Sequence, residues 1–359
     1  MILPKPGNMI GMSDWTCQPH HGLARRKFTG WDKLKTGGCI PYDTVMFLIM
    51  GMNCSKGELR VMSIAQMKEN MSSHAGFIAA LDQSGGSTPG ALRHYGIPDT
   101  AYSNDAEMFA LMHQMRVRVI TSPAFTGKKI IAAILFEQTM NGLVKDVPTP
   151  TYLWKERGIV PFLKVDKGLE AEAGGVQMMK PIPGLDVLLE HAVKLGIYGT
   201  KARSVIRLPE PAGVAAIVKQ QFALAEQIAA HGLVPILEPE VLIKSPDKAG
   251  AETLLHEELK RGLDGLPGNY QVMIKVSIPE KSDLYLDLVK HPRVQRVVAL
   301  SGGYPRDEAC KRLSANHGMI ASFSRALLEE LRYQMTDEQF NQTLAASIDE
   351  IYQASSQKI

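Results

Sequence analysis

Three short segments place charged side chains two residues apart: PFLKVDKG (Lys164, Asp166), GTKARS (Lys201, Arg203) and PILEPEV (Glu238, Glu240). A fourth, QVMIKV, carries a single lysine, Lys275, after Val272, Met273 and Ile274. Side chains two apart on a strand point to one face. A charge on the inner face of a sheet is costly unless it is paired or has chemical work to do. Any one of these charges reads equally well as a rim salt bridge; seven at matching positions on four successive segments point to a site. Lys275 is the sharpest case. Burial in its apolar strand, with Lys201 and Arg203 nearby, disfavours the ammonium form. A neutral amine is the nucleophile a Schiff-base enzyme needs. The carboxylates would then carry the proton transfers of carbinolamine formation, dehydration and carbon–carbon cleavage.

These segments belong to a pattern that repeats from residue 76 onward. Short apolar, β-rich runs cover Gly76–Asp82, Ile130–Glu137, Pro161–Lys167, Tyr198–Ile206, Val234–Leu242, Gln271–Val276, Val294–Ser301 and Met319–Arg325. Each ends in polar residues, and helical periodicity fills most intervals. Pro211 to His231 is the clearest helix, with apolar residues at Val214, Ile217, Val218, Phe222, Leu224, Ala225 and Ile228 and Gly232 as its expected C-cap. Asp105–Ile120, Pro183–Leu195, Ala249–Leu263 and Asp337–Ala354 read similarly. Near-continuous apolar strands alternating with amphipathic helices imply a parallel sheet covered by helices. Eight repeats predict an α/β fold of (β/α)8 barrel type, one domain over 62–359 ending in a C-terminal helix. A doubly wound open sheet would want a Gly-rich turn after the first strand, and Asp82–Leu92 (DQSGGSTPGAL) partly supplies one. Polar residues at the C-terminal ends of most strands favour the barrel, which uses those ends as one rim.

Two loops look built for phosphate. LSGGY (Leu300–Tyr304) follows the seventh run and ASFSRAL (Ala321–Leu327) the eighth, the usual phosphate position in this fold. Glycines let backbone N–H groups turn toward an anion, and Arg325 offers a bidentate contact. After the first run, Ser84 and Ser87 form a second cradle with Lys164 across the rim. Two cradles in one mouth suggest a substrate with two phosphates.

The composition, 45% hydrophobic and 21% charged, excludes a disordered chain, a collagen and a coiled coil. The longest apolar run, Val45 to Met52, is too short to cross a bilayer. Four cysteines in 359 residues cannot form a disulfide framework, which points to a reducing cytoplasm. Residues 1–61 hold eight Lys/Arg and four Asp/Glu, leaving 32 basic and 33 acidic groups elsewhere. The basicity therefore belongs to the leader and gives the main body no nucleic-acid character. A zinc site from Cys17, Cys39, Cys54, His20 and His21 lacks a close cysteine pair. The expectation is that 1–61 is a disordered or mis-assigned leader. Back-translation of Lys56-Gly57-Glu58 gives a purine-rich stretch just before Met62, the expected start.

The set GFIAALDQSGGS, FLKVDKG, GTKARS, VPILEPE, VMIKV, ALSGG and SFSRAL resembles class I fructose-bisphosphate aldolase, in particular its shorter bacterial form. The resemblance covers about residue 62 to the end. It implies reversible cleavage of fructose 1,6-bisphosphate to dihydroxyacetone phosphate and glyceraldehyde 3-phosphate through an imine on Lys275, with no metal or other cofactor. It further implies Glu238 as the main acid/base, with Asp82 and Lys201 orienting the C4 hydroxyl and carbinolamine. Either Asp82 or Glu238 takes the cleavage proton, and Glu240 holds Lys275 and Lys201. Arg203, Lys164, Ser84 and Ser87 would meet the aldehyde-side phosphate. Ser301, Gly302, Gly303, Ser322 and Arg325 would meet the ketone-side phosphate. The sequence departs from the animal enzymes at Gln83 (acidic there), Ala202 (aromatic) and Ser324 (glycine), and it ends Ser-Gln-Lys-Ile without their C-terminal tyrosine. Tyr352 reads as a packing residue.

Rival functions are a Schiff-base aldolase for another ketose phosphate, such as tagatose bisphosphate, and a non-catalytic sugar-phosphate-binding protein. A metal-dependent aldolase would need several strand-end histidines. Instead His113, His191, His231, His256 and His291 fall on or near helices and His74, His94 and His317 in loops. Cys310, within EACKRL, reads as a structural helix residue. The expected partners are phosphorylated sugars, with no nucleic acid or membrane, and a homo-oligomer is compatible with the chain.

Overall fold

The computed structural model describes residues 56–359 apart from Gly85. The leader cysteines, histidines and their zinc alternative lie outside the described residues. The expected boundary at Met62 falls within a helix, Lys56–Ser73.

The apolar runs form eight strands: β1 (Phe77–Leu81), β2 (Ile130–Leu135), β3 (Val160–Lys164), β4 (Gly199–Ile206), β5 (Val234–Val241), β6 (Val272–Ser277), β7 (Val294–Leu300) and β8 (Ile320–Phe323). Each pairs in parallel with the next, and β8 returns to β1. The ring is closed, so the fold is a (β/α)8 barrel, not an open doubly wound sheet. Three strands stop two or three residues before their apolar runs end: β3 at Lys164, and β2 and β8 because Glu137 and Arg325 already begin short helices, Glu137–Asn141 and Arg325–Leu328.

Alternation sorts the strand side chains. Phe77, Ala79 and Leu81 and their counterparts face outward into the core shared with the helices. Ile78, Ala80, Ala132, Ile134, Val160, Phe162, Ile236, Met273, Val298 and Ile320 fill the lumen, joined by Met67 and Met71 of helix Lys56–Ser73. That helix is tied to β7 by Arg296, whose guanidinium donates to Met71 O at 2.6 Å and His74 O at 2.8 Å. One step of period two beyond the apolar lumen residues come the polar ones: Asp82 after Ala80, Lys164 after Phe162, Glu238 after Ile236, Lys275 after Met273 and Ser322 after Ile320. On β4 the residue before Lys201 on this face is Gly199. A Cβ there would lie 2.5 Å from Phe162 Cε1 and 2.2 Å from Val234 O, so the bulk of Phe162 and the adjacent backbone require glycine.

The helices follow the expected periods. Pro211–Ala230 is capped by His231, and Gly232 takes the left-handed φ of +74° that ends it. Asp337–Ser356 starts with a Thr336/Gln339 capping box. His94, expected in a loop, lies in helix Thr88–Tyr95. Cys310 is buried as expected, and burial pushes its thiol up to about 12.

Candidate active site

The C-terminal strand ends surround a cavity of about 630 Å³, within the size range of small-molecule sites. Every residue given a role from the sequence lines it: Asp82, Ser84, Ser87, Lys164, Lys201, Arg203, Glu238, Glu240, Lys275, Ser301, Gly302, Gly303, Ser322 and Arg325; Asp166, the remaining one of the seven charges, lies behind the lining.

At its centre lies a chain of buried ions. Lys275 is 3% exposed, Glu238 4% and Lys201 2%. Lys275 Nζ sits 2.9 Å from Glu238 Oε1. Lys201 Nζ sits 2.8 Å from Glu238 Oε2 and 2.7 Å from Asp82 Oδ2. The Lys201–Glu238 contact is an ion pair by distance, but its angle leaves Glu238 Oε2 without a hydrogen bond.

The charges set one another's protonation. Burial pushes the Asp82 carboxyl up, but Lys201, Lys275 and Lys164 together bring it well below the usual carboxylate range. Burial also raises Glu238, and Lys201 and Lys275 more than offset this, giving a lowered value. Lys201 is disfavoured as a cation by burial, yet Asp82, Glu238 and Asp166 hold it above an ordinary lysine. The resting site therefore holds two carboxylates around a firmly charged Lys201.

The structure corrects two expectations. Lys201 and Arg203 were expected beside Lys275; Lys201 meets the same Glu238 carboxylate as Lys275, but Arg203 is engaged elsewhere. Glu240 was expected to hold Lys275 and Lys201; its Oε2 instead pairs with Arg203 Nε. The reason is register: Arg203 stands opposite Glu238 across β4 and β5, and its long side chain reaches the next inward carboxylate toward the rim.

On one side of the central ions, Ser84 N–H donates to Ser87 Oγ at 3.1 Å. Lys164 lies on this side, but its Nζ donates to Asp166 Oδ1 at 2.6 Å. On the other side, Gly302 and Gly303 adopt φ of +63° and +109°, a region that suits glycine. A Cβ on Gly303 would come 3.2 Å from Arg325 Nη1, so the guanidinium lies against this turn. Ser322 Oγ is buried and makes no hydrogen bond within the described protein.

Sequence reasoning left three contributors without roles. Asp166 anchors Lys164, accepts from Arg203 N at 3.2 Å and lies 3.9 Å from Lys201; its shared face with Lys164 was the available signal. Gln83 lines the cavity and donates to Ser324 Oγ at 2.6 Å. Arg116, beneath Gln83, was visible only as a charge in the apolar stripe of helix Asp105–Thr121.

A closed parallel barrel with a buried lysine–carboxylate centre and two polar cradles at its C-terminal mouth defines a TIM-barrel enzyme of the lysine-dependent type. A family model described as "Glycolytic: Fructose-bisphosphate aldolase class-I" matches residues 65–255. The chain is 60% identical over 290 residues to a fructose-bisphosphate aldolase class 1 of Synechocystis sp., spanning 81% of this chain and 96% of that relative. It is 56% identical over 285 residues to the same-named protein of Clostridium acetobutylicum, covering 79% and 97%. It is 55% identical over 287 residues to that of Porphyromonas gingivalis, covering 80% and 97%. The fold matches a crystal structure of the Plasmodium falciparum fructose-bisphosphate aldolase with TM-score 0.66 at 19% identity, over 84% of this chain and 96% of that one. This chain belongs to the class I fructose-bisphosphate aldolase family.

Proposed function

We propose that the protein cleaves fructose 1,6-bisphosphate reversibly to dihydroxyacetone phosphate and glyceraldehyde 3-phosphate, through an imine on Lys275. The observation that carries this is the Lys275 Nζ to Glu238 Oε1 contact of 2.9 Å, buried at the centre of the cavity between the two cradles. Proton transfer across this contact frees the amine to attack the C2 ketone. Glu238 then protonates the leaving hydroxyl of the carbinolamine, water departs and the iminium forms. Asp82 or Glu238 takes the C4 hydroxyl proton. The C3–C4 bond breaks, its electron pair moves into the iminium as an enamine, and the aldehyde leaves. Protonation at C3 and hydrolysis return the ketone and the amine.

Lys201 holds the C4 hydroxyl and the carbinolamine beside Asp82. Glu240 orients Arg203, which with Lys164, Ser84 and Ser87 receives the aldehyde-side phosphate. Ser301, Gly302, Gly303, Ser322 and Arg325 receive the ketone-side phosphate. The iminium nitrogen is the electron sink, so the proposed reaction needs no metal. Among the described residues no three His, Cys, Asp or Glu side chains are grouped to hold a metal ion, and of the histidines only His94 lines the cavity. The substrates are charged sugar phosphates, and the proposed compartment is the cytoplasm.

Borohydride added with dihydroxyacetone phosphate should inactivate the enzyme and leave one reduced adduct, on the Lys275 peptide. EDTA should leave turnover unchanged. An adduct on another residue, or activity lost to the chelator, would overturn the proposal.

A further inference from the structure

Arg116 is a buried cation with no part in the chemistry above. It sits in the stripe of Met108, Met112, Met115, Val119 and Ile120 and is 2% exposed. Among the described residues no carboxylate comes within 4.0 Å of it. Its hydrogen bonds go to neutral oxygens: Nη1 to Thr139 Oγ1 at 2.6 Å, and Nη2 to Gln83 O at 2.6 Å and Gln83 Oε1 at 3.2 Å. Nε makes none. A buried charge without a counter-ion is destabilising. Burial draws the guanidinium down to about 10, with Asp82 opposing.

Its contacts lead to the cavity wall. Holding Gln83 O fixes the Gln83–Ser84 peptide, whose N–H is directed at Ser87 Oγ. A cation on the carbonyl oxygen also polarises that peptide and strengthens its N–H as a donor. The Gln83 side chain passes the constraint on, since Nε2 donates to Ser324 Oγ at 2.6 Å. Ser324 is the residue before Arg325. A carboxylate at position 83 would neutralise Arg116; the amide keeps the bridge and leaves the charge in place.

We propose that Arg116 is a positioning residue for substrate phosphate: it fixes the Gln83–Ser84 peptide, whose N–H holds Ser87 Oγ in the aldehyde-side cradle, and, through Gln83 and Ser324, ties that cradle to the ketone-side one. This rests on the aldolase assignment. It adds a buried cation, outside the cavity lining, that acts on phosphate through neutral groups.

The test compares the full chain and its variants on fructose 1,6-bisphosphate and on fructose 1-phosphate, which lacks the aldehyde-side phosphate. Arg116→Lys keeps a cation and loses the forked contact. Its KM for the bisphosphate should rise about 5- to 10-fold, while its KM for the monophosphate changes less than about twofold. Ser324→Ala should show the same bias at about two- to threefold, and it decides the matter if Arg116→Lys does not fold. Equal KM changes on the two substrates, or lowered kcat with KM unmoved on both, would mean a structural role only and overturn the proposal. Failure of the aldolase assignment looks different: the wild-type chain would then cleave neither sugar and would not be trapped by borohydride.

Discussion

Lys201→Met removes the hub of the buried ion chain. The lysine touches Asp82 at 2.7 Å, Glu238 at 2.8 Å and Asp166 at 3.9 Å. In the variant Glu238 keeps Lys275 and Asp166 keeps Lys164, but Asp82 loses its ion-pair partner. Breaking a buried pair from one side costs about 3–5 kcal/mol. At about 2 °C per kcal/mol for a domain of this size, the variant should melt about 6–10 °C lower near pH 8.

The deficit should depend on pH. In the wild type Asp82 and Glu238 titrate below ordinary carboxylates. Their contribution is present above the ordinary carboxylate pKa of about 4 and is lost as the pH falls through the depressed values. Lys201 titrates above an ordinary lysine, so its contribution is full below about pH 10 and is lost as the pH rises through the raised value. Removing Lys201 leaves burial less opposed at Asp82, whose carboxyl then moves up and takes a proton as the medium becomes acidic. Protonation relieves the unpaired charge, so the gap in melting temperature should narrow between pH 8 and pH 4. Scanning calorimetry of both proteins across that range measures it. A gap below about 2 °C at pH 8, or one equally wide at pH 4, would refute the reasoning.

Glu238→Gln removes the proposed acid/base while keeping the side-chain shape; kcat should fall about 10²- to 10⁴-fold, and borohydride trapping of Lys275 should slow. Unchanged turnover would take Glu238 out of the mechanism. Gly199→Ala drives a methyl against Val234 O and the Phe162 ring, so urea unfolding should show a loss of about 1–3 kcal/mol, with KM unaltered in the folded fraction; a stability equal to wild type would show that β4 and β5 can part without cost.

The barrel was legible because its signal is local. An apolar residue facing the lumen and a polar one two positions later is a pattern that any single strand displays, as Met273 and Lys275 or Ile236 and Glu238 show. The turn after β7 was legible for a similar reason: Gly302 and Gly303 advertise a positive-φ backbone that sterics reserve for glycine. What a strand cannot display is its partner. Arg203 and Glu238 stand opposite each other in register, yet Arg203 bonds Glu240. The choice follows from the stagger of neighbouring strands and the reach of the side chain, and neither is written in one segment. Arg116 lay further from view, since its meaning depends on a helix folding back onto the loop that precedes it in the same repeat, at Gln83, and meeting Thr139 of the next.

That limit bears on the proposed nucleophile itself. Reading β6 alone gives a lysine in an apolar strand, which suggests activation by burial and repulsion. The assembled mouth gives Lys275 a carboxylate at 2.9 Å, within reach for a direct proton transfer. Activation in the proposed mechanism must then be a transfer, with the proton passing to Glu238 as the ketone arrives. This also explains why Glu238 bridges two lysines. With Lys201 on Oε2, the carboxylate stays ionised and ready to accept; once it has taken the proton of Lys275, it is the acid that the carbinolamine hydroxyl requires. One side chain can serve both steps only if its second lysine remains charged throughout, and the carboxylates around Lys201 hold that charge in place.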